Sequence, residues 1–137
     1  MTVILAGEQI DVGLVSAAAD GPLRFYHELL GFPLAGSVQI PNVGHVTRIQ
    51  VGHSVLRVLV PEKMPAPPPG SDGTFSDRVG IGYLALKIAN LSETVDRVAA
   101  AGFAVTVPIR TLRPGVRVAL VEDADGNTVE LMEEAPQ

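Results

Sequence analysis

The chain is 137 residues long, contains no cysteine and carries a formal net charge of -5. That length suits one compact domain with a core of its own and leaves no room for two large ones. The lack of cysteine excludes disulfides, thiolate metal sites and cysteine nucleophiles. The acidic balance argues against a nucleic-acid partner or a polybasic membrane surface, both of which need clustered Lys and Arg. No apolar stretch approaches the roughly 20 residues of a membrane span. The start, MTVILAGEQIDVG, has no basic region followed by a long apolar run, so the expected location is cytoplasmic.

In chain order, residues 9–15 (QIDVGLV) read as a strand. Asp20-Gly21-Pro22 then opens a helix, with Asp20 as cap and Pro22 in the first turn. LRFYHELL follows, and Gly31 is placed to end it. Apolar or alternating segments at 34–40, 45–51 and 54–60 read as three strands, separated by turn formers at Pro41-Asn42 and Gly52-His53. Residues 61–77 (PEKMPAPPPGSDGTFSD) form a Pro/Gly-rich linker, with a flap over a ligand site as the sharper alternative to a plain tether.

The second half repeats the first. Residues 81–88 (IGYLALKI) read as a strand, and Asn90 and Glu93 have capping-box spacing before a helix that Gly102 ends. Strands follow at 104–109, 115–121 and 128–132. Gly31-Phe32 and Gly102-Phe103 mark the internal repeat. The organisation expected is one domain over 1–137, with a first βαβββ module at 9–60, a linker at 61–77 and a second module at 78–133. The class is α+β. Two such units side by side would curl into an incomplete barrel with the helices outside and a ligand cup on the concave face.

This order, with FYHELLGF closing the first helix and DADGNTVELME at the end, resembles the vicinal oxygen chelate superfamily, the glyoxalase/bleomycin resistance protein/dioxygenase group. The resemblance covers about residues 9–133. It implies the paired-module fold and, in metal-using members, four ligands: an early-strand His and a last-strand Glu in each half. By motif those positions fall on Asp11 in DVGLV, Arg57 in SVLRVLV, Tyr83 in GYLAL and Glu130 in NTVELME. Only Glu130 matches outright, and Asp11 could stand in for a second ligand. A guanidinium cannot ligate a cation, and a phenol with a reference pKa of about 10 is a poor ligand. The expectation is therefore no cofactor, with a divalent metal held through Asp11 and Glu130 as the alternative. His27, His45 and His53 are read as surface or structural residues.

Alternation assigns the faces. If Gly52-His53 make a two-residue hairpin, Arg48 falls opposite Arg57. The cup would then hold Asp11, Arg48, Gln50, Val55, Arg57 and Leu59 from the first half. The second half would add Tyr83, Ala85, Thr128 and Glu130. The bland reading is that Asp11, Arg57 and Glu130 simply neutralise one another. Arg48 and Lys87 would then be solvent-facing, with Asp20, Asp123 and Asp125 as caps and turn formers. The functional reading makes the protein an enzyme that abstracts a proton next to a carbonyl, of lyase or isomerase type, on a small anionic or carbonyl compound. Arg57 would stabilise developing negative charge. Asp11 or Glu130 would act as base, with Tyr83 as acid. The alternative is a non-catalytic protein that sequesters a ligand or antibiotic, weakened by the scarcity of aromatic side chains. A metal-dependent glyoxalase or dioxygenase is the third reading. A homodimer with a small-molecule ligand is the expected assembly.

Overall fold

The computed structural model describes residues 1–64, 66, 75–77 and 79–135. Most of the Pro/Gly-rich stretch, and with it the expected flap, lies outside the described residues. The chain separates into two compact units, Met1–Ala66 and Pro67–Gln137, divided inside that stretch.

The first unit contains β1 (Val12–Val15), α1 (Asp20–Pro22) running directly into a π-helix (Leu23–Leu29), β2 (Leu34–Ile40), β3 (Gly44–Val51) and β4 (Ser54–Pro61). Its sheet has the order β1-β4-β3-β2, with β1 parallel to β4 and the rest antiparallel. The second unit repeats it: β5 (Tyr83–Lys87), α2 (Leu91–Ala100), β6 (Val105–Arg113), β7 (Val116–Glu122) and β8 (Thr128–Glu134), in the order β5-β8-β7-β6. The α+β class and the two βαβββ modules are thus as the sequence indicated. The first strand of each module starts two or three residues later than expected. The strands β6 and β8 run two to four residues longer than expected.

Each sheet buries one face more completely than the other. In the first unit Ile49 and Val58 are fully buried, together with Phe25 and Tyr26 from the helix, whose rings meet edge to face at 4.9 Å. In the second, Ala119, Val121, Val129 and Leu131 are fully buried, with Leu91 and Val98 from α2. Leu91 and Val98 lie seven residues apart, two turns of one helical stripe. Burying side chains of this size stabilises a fold by about 1.5–3 kcal/mol each.

Both helices end as the glycines indicated. Gly31 has φ 82° and Gly102 φ 89°, a region that costs an L side chain about 1–2 kcal/mol. Phe32 N–H reaches back to Tyr26 O and Phe103 N–H to Val98 O. The helix starts differ from expectation. Ala19, not Asp20, is the first cap, and no side chain caps that end. At the second helix Asn90 caps without a side-chain bond to the backbone. Its Nδ2 instead donates to Glu93 Oε2 at 3.4 Å, and Leu91 N–H, an amide that a capping box does not cover, donates to Glu133 Oε1 at 3.2 Å. Sheet pairing of β8 holds this carboxylate, 42 residues away in sequence, at the start of the helix. The first helix also winds wider than an α-helix, with Leu30 N–H bonding Phe25 O five residues back.

Candidate functional site

In the first unit the expected hairpin forms. Val51 pairs with Ser54 across Gly52-His53, which puts Arg48 directly opposite Arg57 and Gln50 opposite Val55. On the other side of β4, Gly13 pairs with Arg57 and Val15 with Leu59. One face therefore carries a row Gly13, Arg57, Arg48. Val15, Leu59 and Val46 flank it on one side, and Val55 and Gln50 on the other.

Asp11 sits just before β1. Because β1 pairing begins at Val12 with Leu56, Val55 N–H has no strand partner on that side. Asp11 Oδ1 accepts it at 2.9 Å, and Oδ2 accepts Arg57 Nη2 at 2.9 Å. The carboxylate is 28% exposed and the guanidinium 55%. One aspartate thus holds the strand end and orients the arginine. Arg48 is exposed and has no carboxylate partner among the described residues. Gln50 spends its amide locally, Nε2 donating to Gly52 O at 2.7 Å and Ser54 O at 3.3 Å.

In the second unit Ala85 pairs with Glu130 and Tyr83 with Thr128, and Leu120 flanks Glu130 from β7. Glu130 is half-buried and has neither an ion pair nor a hydrogen bond among the described residues. The Tyr83 ring packs edge to face on Phe75 with centroids 5.7 Å apart. Lys87 pairs with Glu134 at 3.2 Å. Gly13 lies two residues after Asp11 and pairs with Arg57, just as Ala85 lies two after Tyr83 and pairs with Glu130. The four positions inferred by motif are therefore equivalent in the two modules.

The donor set does not fit a metal ion. In the first unit one position is a cation and the other is a carboxylate whose two oxygens are already engaged. In the second a phenol replaces a ligand. Among the described residues no three His, Cys, Asp or Glu side chains group around a common point. His27 Nδ1 instead contacts Phe32 O at 2.7 Å, at the end of the first helix, and His45 contacts Gln39. Asp123 is a turn former: its carboxylate accepts Asp125 N–H, Asn127 N–H and Asn127 Nδ2, all at 2.9 Å.

Sequence reasoning missed Glu133. Its Oε1 takes Leu91 N–H and its Oε2 pairs with Arg117 across β7 and β8. The Arg117 hydrogen bond, then the Leu91 amide, hold this carboxyl below its usual range, against a small opposing effect of burial. Thr111, Gly115, Arg117, Glu133 and Ala135 line a depression of about 560 Å³ there. Period-2 alternation from Glu130 was the available clue, since it puts Glu133 on the opposite face.

Comparison with known proteins agrees with this architecture. The sequence pattern of the Glyoxalase/Bleomycin resistance protein/Dioxygenase superfamily matches residues 12–131. Among curated proteins no sequence matches significantly. Similar solved structures include a glyoxalase/dioxygenase from Nostoc punctiforme (TM-score 0.73, 17% identity, covering 99% of this chain and 98% of that one). Another is TnmS3, an antibiotic binding protein from Streptomyces sp. CB03234 (0.68, 20%, 96% and 100%). A third is a lactoylglutathione lyase from Agrobacterium tumefaciens (0.61, 16%, 94% and 95%). At such identities the likeness concerns the fold.

Proposed function

The chain belongs to the glyoxalase/bleomycin resistance protein/dioxygenase superfamily, and we propose that its first module recognises a small anionic or carbonyl-bearing molecule through Arg57. The observation that carries this reading is the Asp11–Arg57 pair, anchored at its second oxygen by Val55 N–H. A fixed guanidinium supplies positive charge where metal-using relatives place a ligand, and it does so without a metal. Such a group can hold a carboxylate or stabilise charge developing on a carbonyl oxygen.

In the enzymatic form of this reading the protein abstracts a proton next to a carbonyl, as a lyase or isomerase does. Asp11 is committed to Arg57, and Arg57 stabilises the negative charge that develops on the carbonyl oxygen as the proton leaves. In the second form the protein only sequesters its ligand. That form needs only the anchored guanidinium and no base. A homodimer in the cytoplasm is part of both.

The test is to screen small carbonyl and anionic compounds for stabilisation of the fold, then to follow hits in D2O by NMR. Exchange of a carbon-bound proton that disappears in Arg57→Ala supports the enzyme. Binding that needs Arg57, with no exchange, supports sequestration. Ligands that bind Arg57→Ala as well as wild type would remove the reading altogether.

A further inference from the structure

We infer that Arg48 and Arg57 form a two-guanidinium receptor for one oxyanion, a carboxylate or phosphate group carried by the ligand. The inference rests on the reading above and narrows its ligand to an anion.

Two arginines stand directly opposite across β3 and β4. Directly opposed residues have Cβ atoms about 5 Å apart, and like charges so placed destabilise a sheet. The face offers one carboxylate, Asp11, and it is bound to Arg57. The row thus keeps a surplus positive charge that nothing in the first unit neutralises among the described residues. A charge arrangement that costs stability and has no partner within its own module is what an anion-binding surface requires. The guanidiniums suit the task, since each presents a planar fork of donors matched to carboxylate or phosphate.

The space is present as well. On the other flank of Arg57 lies Gly13, and a Cβ added there would meet nothing within 4 Å. The apolar side chains of Val15, Leu59 and Val46 line the next row, so the body of an amphipathic anion would lie against them while its charged end meets the arginines. Gln50 takes no part, its amide being bound to the hairpin. Asp11 is a positioning residue: it touches Arg57, not the ligand.

The experiment uses the whole protein and two probes, inorganic phosphate and acetate, titrated calorimetrically against chloride at matched ionic strength. Saturable binding of either probe, weakened about tenfold or more in both Arg48→Gln and Arg57→Gln, is expected, because a charge-assisted hydrogen bond contributes on that scale. Phosphate alone, acetate alone or both would each support the receptor and identify the oxyanion. A second measurement guards against a structural role. Arg48→Gln relieves like-charge repulsion, so the ligand-free variant should melt no lower than wild type at low salt, and the difference should shrink as salt is added. Binding indistinguishable from chloride would overturn the inference, as would an Arg48→Gln protein that binds normally or is markedly destabilised. The parent reading fails separately. It survives if Arg57→Gln still abolishes binding of a neutral carbonyl compound while Arg48→Gln does not.

Discussion

Asp11 and Arg57 meet at 2.9 Å across 46 residues of sequence, and the aspartate's other oxygen holds Val55 N–H, two residues before the arginine on the same strand. The aspartate therefore fixes both the backbone from which Arg57 projects and the guanidinium itself. Asp11→Ala removes an exposed ion pair, which contributes at most about 1 kcal/mol, and strands a half-buried amide, which costs about 1 kcal/mol more. Urea unfolding should show a combined loss of about 1–2 kcal/mol. A loss under about 0.3 kcal/mol would mean that the pair does not hold the strand end.

The same aspartate gives a test of positioning against simple charge. Asp11→Asn removes a negative charge from the face, so Coulomb attraction alone predicts tighter phosphate binding. Positioning predicts weaker binding, because Arg57 loses its anchor. Calorimetric titration of the variant decides between them, and weaker binding is the expected result.

Gly13 offers a steric test that leaves the machinery intact. Its φ is not in the left-handed region and no atom crowds its Cβ direction, so Gly13→Val should fold and melt near wild type. Filling the flank of Arg57 should nonetheless lower ligand affinity. Unchanged affinity for every ligand found in the screen would show that this flank is not used. Gly31→Ala is the contrasting control: its φ of 82° should cost about 1 kcal/mol without touching binding.

Glu133 predicts a pH dependence. Its folded pKa lies below the usual carboxylate value because Arg117 and Leu91 N–H favour the carboxylate. A depressed acid contributes stability above its unfolded pKa and loses that contribution as pH falls through the folded value. Stability should therefore decline from about pH 4.5 downward, and Glu133→Gln should flatten that part of the profile. Equal slopes in variant and wild type would place the acid sensitivity elsewhere. The variant should also loosen the start of α2, read by hydrogen exchange at Leu91 and its neighbours.

Asp123 accepts three hydrogen bonds within the turn before β8. Asp123→Ala strands two backbone amides and an Asn side chain, and the expected cost is about 1–3 kcal/mol by denaturant titration. A cost below about 0.5 kcal/mol would show that water replaces the carboxylate at this turn.

Much of the face was legible from period-2 alternation and one two-residue turn. Gly52-His53 sets the β3–β4 register, and the register sets Arg48 against Arg57. The family motifs placed Asp11, Arg57, Tyr83 and Glu130, and strand pairing makes them equivalent in the two modules. What the sequence could not convey was how each group's bonding is spent. Asp11 precedes its strand and finds Val55 N–H only because β1 starts one residue later. Gln50, a candidate ligand contact, satisfies its own hairpin instead. The Asn90–Glu93 spacing had the form of a capping box, but the two side chains bond each other, and the first helical amide, Leu91 N–H, finds Glu133 from another strand. Local spacing does not reveal a partner that tertiary pairing delivers.

The wide winding of the first helix gives the first module slack in chain length. Between Leu23 and Leu29 the chain holds more residues per turn than its counterpart α2. One residue removed there would let the backbone bonds revert to the i→i−4 pattern. The helix would keep its entry at Ala19 and its exit at Gly31. The sheet register that places Arg57 would not be disturbed, since none of its strands would shift. A one-residue deletion in this helix would thus leave the Arg57 face in register, whereas α2, wound as an ordinary α-helix, has no extra residue to give up.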